Sequence, residues 1–402
     1  MEGFITFAAY DSTDEMKSVA DVVCLGKNDE VVIQETIDKC AKEGKNLYFF
    51  NGTYVIENFY DFKDGGPKSA LCFPNLRREI SVIGQNFTYG KKNSGVIFYL
   101  PASTLEKVGE EGVDVMRSKW TERGIGNGSV LKLENIQISL SHNQKPVRCI
   151  DLRRCDRPEL KNVRLHAYMD MNAGFGMPPE IAAKGCIGLT MTDGSNAWYS
   201  NYTNVLATGF YEGIQAGGEH VVLINCGAIM CYYGWTFGNY KLNCGANHPI
   251  TLINCMDERN VNLPLFNECG DDDGKGGRVR GEQEVTMISF NIERIAEQSP
   301  GKALGDLMKE VVPGTWKGNI DFTAQPAWCH VNEKNFQLWE NDGSGQGIKT
   351  RNNTHKTVCG TQERLSYYPT FGQQIFDTDL NKMVICIDVA NKKWVDCNGK
   401  EV

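Results

Sequence analysis

The chain has 402 residues, 41% hydrophobic and 23% charged, a globular composition with ample length for a sizeable core. Acidic residues outnumber basic ones, 50 to 42, and the net charge of −8 comes without any stripe of Lys and Arg, so nucleic acid is not an expected partner. No run approaches the roughly 18–20 apolar residues of a membrane helix, so membrane insertion is not expected.

The start, "MEGFITFAAYDSTDEMKS", lacks the basic segment and long apolar run of a signal peptide, and residues 1–19 form an N-terminal segment. The 15 cysteines are odd in number and lack CxxC pairs, which reads as free buried thiols in a reducing compartment. After residue 20, Asn28 or Asp29 can cap a helix whose apolar positions Val32, Ile33, Ile37 and Ala41 recur at helical spacing. Gly44 ends that helix, and "NLYFFNGTYVI" then reads as strand, tight turn, strand.

Further along, a Leu-x-Asn word returns. It places Asn135, Asn162, Asn204, Asn225 and Asn254, with Asn291 as a weaker candidate, at intervals of 27, 42, 21, 29 and 37. "VVLINC" and "TLINC" repeat it almost letter for letter. Helical repeats have nearly fixed periods, so these intervals do not suit them. They suit parallel coils, in which short strands stack at about 4.8 Å and loops of free length leave at the corners. The expectation is an asparagine ladder at inward bends, each amide bonded to its neighbours above and below. The helix before the first coil would cover an open end of the stack.

"NDEVVIQETID", "NGTY" and the stretch from "CIGLTMTDG" to "VVLINC" resemble pectate-lyase-like right-handed β-helix proteins over residues 20–295. That resemblance implies an all-β fold, a right-handed parallel β-helix, and says little about reaction. Residues 296–365 read as a helical insertion, with a short helix at Lys302–Val311, followed by continuing coils or linker. Residues 366–402 read as a small C-terminal β module of two or three antiparallel strands, turning at "DTDLNK" and "DVANKK". Gly372, Phe376-Asp377-Thr378, Trp394-Val395-Asp396 and Gly399 resemble a module found on bacteriophage tail and receptor-binding proteins.

A polysaccharide needs aromatic faces for its C–H surfaces and polar groups for its hydroxyls. Trp198, Tyr199, Tyr232, Tyr233 and Trp235 are the candidate substrate-binding residues. Hydrolysis needs two carboxyl groups roughly 5–9.5 Å apart. Asp257, Glu258 and Glu212 are the candidates, with Arg259 beside them for an acidic sugar or an eliminative route. The acidic loop Asp271–Asp273 lacks the ligand order of a calcium loop, no zinc or dinucleotide fingerprint occurs, and no cofactor is expected.

The resemblances together imply a phage tailspike-like protein that binds a bacterial surface polysaccharide and depolymerises it as a glycoside hydrolase. A non-catalytic receptor-binding or structural tail protein and a polysaccharide lyase stay open as alternatives. They also imply a homotrimer, other phage tail proteins as partners, and a virion location after synthesis in the host cytoplasm.

Overall fold

The computed structural model describes residues 3–74, 79–87, 94–120, 130–170, 174–175, 181–191, 200–218, 220–237, 250–260, 265–266, 269–272, 278–281, 283–288, 290–293, 316–317, 358–366, 374–388 and 391–402. The helix expected at Lys302–Val311 lies outside them.

Strands dominate. In chain order they are β1 (Phe4–Ala8), β2 (Val22–Val23), β3 (Asn46–Phe49), β4 (Gly52–Val55), β5 (Ser69–Phe73), β6 (Glu79–Gly84), β7 (Val96–Leu100), β8 (Val113–Ser118), β9 (Val130–Leu140) and β10 (Val147–Asp151). Next come β11 (Glu159–His166), β12 (Met169–Asp170), β13 (Gly174–Phe175), β14 (Ile187–Thr190), β15 (Asn201–Thr208), β16 (Glu212–Ala216), β17 (Val221–Ile224), β18 (Gly227–Ile229), β19 (Tyr233–Phe237), β20 (Ile250–Ile253) and β21 (Met256–Glu258). The series closes with β22 (Leu265–Phe266), β23 (Cys269–Asp272), β24 (Arg278–Gly281), β25 (Gln283–Ile288), β26 (Asn291–Glu293), β27 (Trp316–Lys317), β28 (Val358–Cys359), β29 (Gln374–Asp377), β30 (Lys382–Asp388) and β31 (Lys393–Asp396).

The protein is β-rich, with long parallel sheets and few helices. Three parallel stacks recur. The first runs β2-β1-β3-β6-β9-β11-β15-β17-β20-β25-β27, the second joins β4, β7, the later halves of β9, β11 and β15, then β18, β21 and β26, and the third runs β5-β8-β10-β14-β16-β19-β22. The chain visits them in the same sequence each time, as in β17, β18, β19 and then β20, β21, β22. Parallel pairing already includes β1, before residue 20.

In-register packing explains why similar residues return. Leu133, Leu160, Tyr202, Leu223 and Leu252 form one buried row of the first stack. Met116, Ile150, Leu189, Ile214 and Trp235 form another in the third. Fully burying each such side chain contributes about 1.5–3 kcal/mol.

Asparagine marks the corner between the first two stacks. Asn135, Asn162, Asn204, Asn225 and Asn254 all adopt left-handed backbone, with φ between 52° and 58°, a conformation asparagine tolerates better than most residues. Asn162 donates to Asn135, Asn204 to Asn162 and Asn254 to Asn225, each through Nδ2 to Oδ1 at 2.8 Å. The ladder does not face inward as expected. Its first three members are half-buried and Asn225 and Asn254 are exposed, whereas the next residues, Cys226 and Cys255, are buried. An amide on the solvent side has water for its spare hydrogen bonds, while the thiols fill the interior as small apolar groups. Asn291 is not in the ladder. It pairs with Met256, two places beyond Asn254.

The helix Asp29–Glu43 buries Ile33, Ile37 and Cys40 and ends at Gly44, whose N–H donates to Cys40 O. Asn28 makes no side-chain cap; instead the Asp29 carboxylate accepts the backbone N–H groups of Leu25, Gly26 and Val55. Gln34 meets the free edge of β5 in the manner of a neighbouring strand. Its Nε2 donates to Cys72 O at 3.0 Å, and its Oε1 accepts from Cys72 N at 2.7 Å.

The chain divides into two compact units, residues 1–336 with 340–348 and residues 337–339 with 349–402. In the second, β29, β30 and β31 pair antiparallel, with turns at Asp377–Lys382 and Asp388–Lys393. Ile375, Val384, Cys386 and Trp394 form its core. The buried Arg364 donates to Asp377 Oδ2 at 2.7 Å and lies 5.3 Å above the Trp394 ring. Asp377 also accepts from the backbone of Asp379 and Leu380, and Asp396 from Asn398 and Lys400, so both aspartates of the motif close turns.

Candidate functional site

A polar strip crosses the third stack. Ser69, Asp114, Arg148, Ile187, Glu212 and Tyr233 stand in register on β5, β8, β10, β14, β16 and β19. In-register residues of parallel strands share a face, about 4.8 Å apart. A second row runs beside it through Arg117, Asp151, Thr190, Gln215 and Thr236.

One end of the strip is charged and buried. Arg117 grips Asp64 through NH1 at 2.7 Å and NH2 at 2.8 Å, and the Trp120 backbone N–H donates to the same carboxylate. Asp151 accepts from Arg153 Nε at 2.9 Å and NH2 at 2.7 Å. Arg153 lies 4.7 Å above the Trp120 ring and Arg154 lies 5.2 Å above it. Arg148 NH1 stands 3.3 Å from both Asp114 Oδ1 and Asp151 Oδ2, so one guanidinium nitrogen is shared by two carboxyl groups.

Those carboxyls titrate apart. Burial, with Asp151 nearby, pushes Asp114 up to about 7 against the pull of Arg148 and Arg153. Burial acts on Asp151 as well, yet Arg153 and Arg148 hold it below the usual carboxylate range.

The other end is half-open. Glu212 Oε2 accepts from Gln215 Nε2 at 2.8 Å and Thr236 Oγ1 at 3.0 Å, and Thr190 Oγ1 donates to Gln215 Oε1 at 2.6 Å. Tyr211 stacks on Tyr232 at 4.7 Å, and Tyr233 meets both rings edge-on. Glu212 and the three tyrosines are all half-buried. This end joins a carboxylate, an amide, hydroxyls and flat rings, which is the chemistry a sugar chain requires.

The sequence candidates scatter. Glu212, Tyr232 and Tyr233 come together here. Trp235 does not join them: it is fully buried, lies parallel to Phe237 and donates through Nε1 to Met256 O at 2.9 Å. Asp257 is fully buried in the column of Leu165, Ala207 and Ala228, accepting from Asn260 Nδ2 at 2.7 Å. Its neighbour Glu258 is half-buried and pairs with Arg259 Nε at 3.3 Å. Arg259 itself occupies a left-handed corner, stacked after Gly209 and Met230. Trp198 and Tyr199 lie outside the described residues.

Glu258 instead continues a file of the second stack, through Ser139, His166, Thr208 and Ile229. Within it, Gln137 Nε2 donates to Ser139 Oγ, and Arg164 lies 4.9 Å above Phe87. Burial, then Arg164, pushes His166 down to about 3. Among the described residues, no group of three His, Cys, Asp or Glu side chains is placed to hold a metal, and no helix is long and apolar enough to cross a membrane.

Sequence reasoning missed the charged end. The available signal was unpaired charge inside strand-like runs, "VDVMRS" and "VRCIDLRR", where a buried strand otherwise carries only apolar residues.

No family model matches the chain, and no curated protein matches it. A solved structure, ORF18 of Geobacillus virus E2, matches over 92% of this chain and 82% of that one, at 11% identity and a TM-score of 0.35. A likeness at that level carries no argument about what this chain does.

Proposed function

We propose that the chain is a tailspike-like, right-handed parallel β-helix that holds a bacterial surface polysaccharide along the third-stack strip. The observation that carries this reading is the half-open end, where Glu212, Gln215 and Thr236 stand beside Tyr211, Tyr232 and Tyr233. The repeated order of the three stacks supports the coil. The Phe376-Asp377-Thr378 and Trp394-Val395-Asp396 motif supports a phage setting through sequence likeness, with a homotrimer in the virion.

Cleavage is the second reading. Glu212 is a half-buried carboxylate on the strip, and hydrolysis adds a second carboxyl roughly 5–9.5 Å away. The test is binding and cleavage of surface polysaccharide from candidate hosts, reading new reducing ends and unsaturated-sugar absorbance. Binding weakened by Tyr232→Ala, without either product, makes the protein a receptor binder. Reducing ends that vanish in Glu212→Gln make it a hydrolase, and absorbance makes it a lyase. A polysaccharide that binds all variants equally removes the strip from consideration.

A further inference from the structure

The charged end of the strip has more buried polar atoms than partners. Ser69 Oγ, Asp114 Oδ2, Arg117 Nε, Ser118 Oγ, Trp120 Nε1 and Arg148 Nε are buried without a hydrogen bond. Only a few per cent of buried polar groups are ordinarily left unpaired, so this concentration marks a place built to receive something. Three of these residues, Ser69, Asp114 and Arg148, are in register on neighbouring strands and share one face.

The guest's charge follows from the surroundings. Arg117 is taken up by Asp64. The charged groups facing Asp114 are Arg148, Asp151 and Arg153 from β10 and the turn after it, and Arg117 from its own strand. With Asp114 protonated, Asp114 and Asp151 together carry one negative charge against the two positive charges of Arg148 and Arg153. The group is then a net cation, and ionising Asp114 makes it neutral. The free donors, Ser69 Oγ–H and Arg148 Nε–H, suit an anion. Arg148 keeps 13% of its side chain in solvent, which is the approach to the site.

We propose that Ser69, Asp114 and Arg148 form a subsite for the carboxylate of an acidic sugar within the polysaccharide lying on this strip. The proposal rests on the polysaccharide-binding reading and adds the substrate class.

The test is calorimetric titration of the full chain with oligosaccharides of galacturonate, glucuronate and sialate and their carboxyl-reduced neutral forms, at pH 5.5 and 8.5. At least one acidic chain binds about tenfold more tightly at pH 5.5, one decade corresponding to 1.4 kcal/mol, while its neutral form is insensitive to pH. Asp114→Asn, close in shape and permanently uncharged, binds that chain at pH 8.5 as the wild type does at pH 5.5. Arg148→Gln loses the preference for acidic over neutral chains. Asp114→Asn with its pH dependence intact overturns the subsite, even where Arg148→Gln fails to fold. Neutral chains that bind as well as every acidic one, with Tyr232→Ala weakening both, overturn the subsite and leave the broader reading standing. Failure of every chain to bind overturns both.

Discussion

The asparagine corner and the charged strip are built on the same stacked strands and follow opposite rules. At the corner every rung carries the same residue in the same left-handed backbone, and each amide's partner is its own copy. On the strip every rung differs: Ser69, Asp114, Arg148, Ile187, Glu212, Tyr233. Repetition solves a problem common to all coils, which is turning the chain while satisfying its polar groups. Variation at equivalent positions is what a surface needs in order to tell one ligand from another.

The largest effect separating the two regions should come from Asp64→Ala. It strands the buried Arg117 guanidinium, and removing one partner of a buried pair costs about 3–5 kcal/mol. Denaturant unfolding checks this, and a loss below about 1 kcal/mol would mean that solvent reaches Arg117.

The corner should lose less. Asn204→Ala gives up a ladder bond and leaves alanine at φ 54°, together about 2 kcal/mol. Asn204→Gly should retain more stability than Asn204→Ala, because glycine adopts that backbone freely. The reverse order would break the claim that backbone conformation selects asparagine here.

Titration sharpens the contrast next. Asp114 holds its proton in the folded state up to about pH 7, so its contribution to stability declines as pH rises from the ordinary carboxylate range through 7. The melting temperature of Asp114→Asn, measured against wild type, should therefore gain between pH 4 and pH 8. His166 works in the opposite direction. Its folded value near 3 lies below the unfolded one, so its stability is lost as pH falls from about 6.5 towards 3, and His166→Gln should blunt acid unfolding there.

The smallest effect on stability belongs to Tyr232→Ala, which trims a half-buried ring by about 1 kcal/mol while weakening polysaccharide binding about tenfold.

Legibility in the sequence followed the same division. The ladder could be read because five rungs solve one problem with one residue, and the Leu-x-Asn word survives loops of unequal length. Asn291 misled because a similar word falls two places out of register, which only the pairing of Ile253 with Ile288 reveals. The strip could not be read. Its first three rungs, Ser69, Asp114 and Arg148, are 45 and 34 residues apart and share no chemistry. Tyr233 and Trp235 were grouped because residues two apart share a face in a regular strand. That alternation is interrupted at Gly234, where the Asn260 side chain fills the space a Cβ would need, and Gly234 and Trp235 are both buried. Asp257 was drawn towards the surface by its charge, and only the fold shows Asn260 waiting for it inside.

The ladder's hydrogen bonds have one further consequence. Asn162 reaches Asn135 across 27 residues, Asn254 reaches Asn225 across 29, and Asn204 reaches Asn162 across 42, all at 2.8 Å. The joint is indifferent to how much chain is spent between its members. Loops can therefore be lengthened, shortened or exchanged without retuning the hinge that carries them, so this architecture lets a lineage change what it recognises while inheriting how it folds.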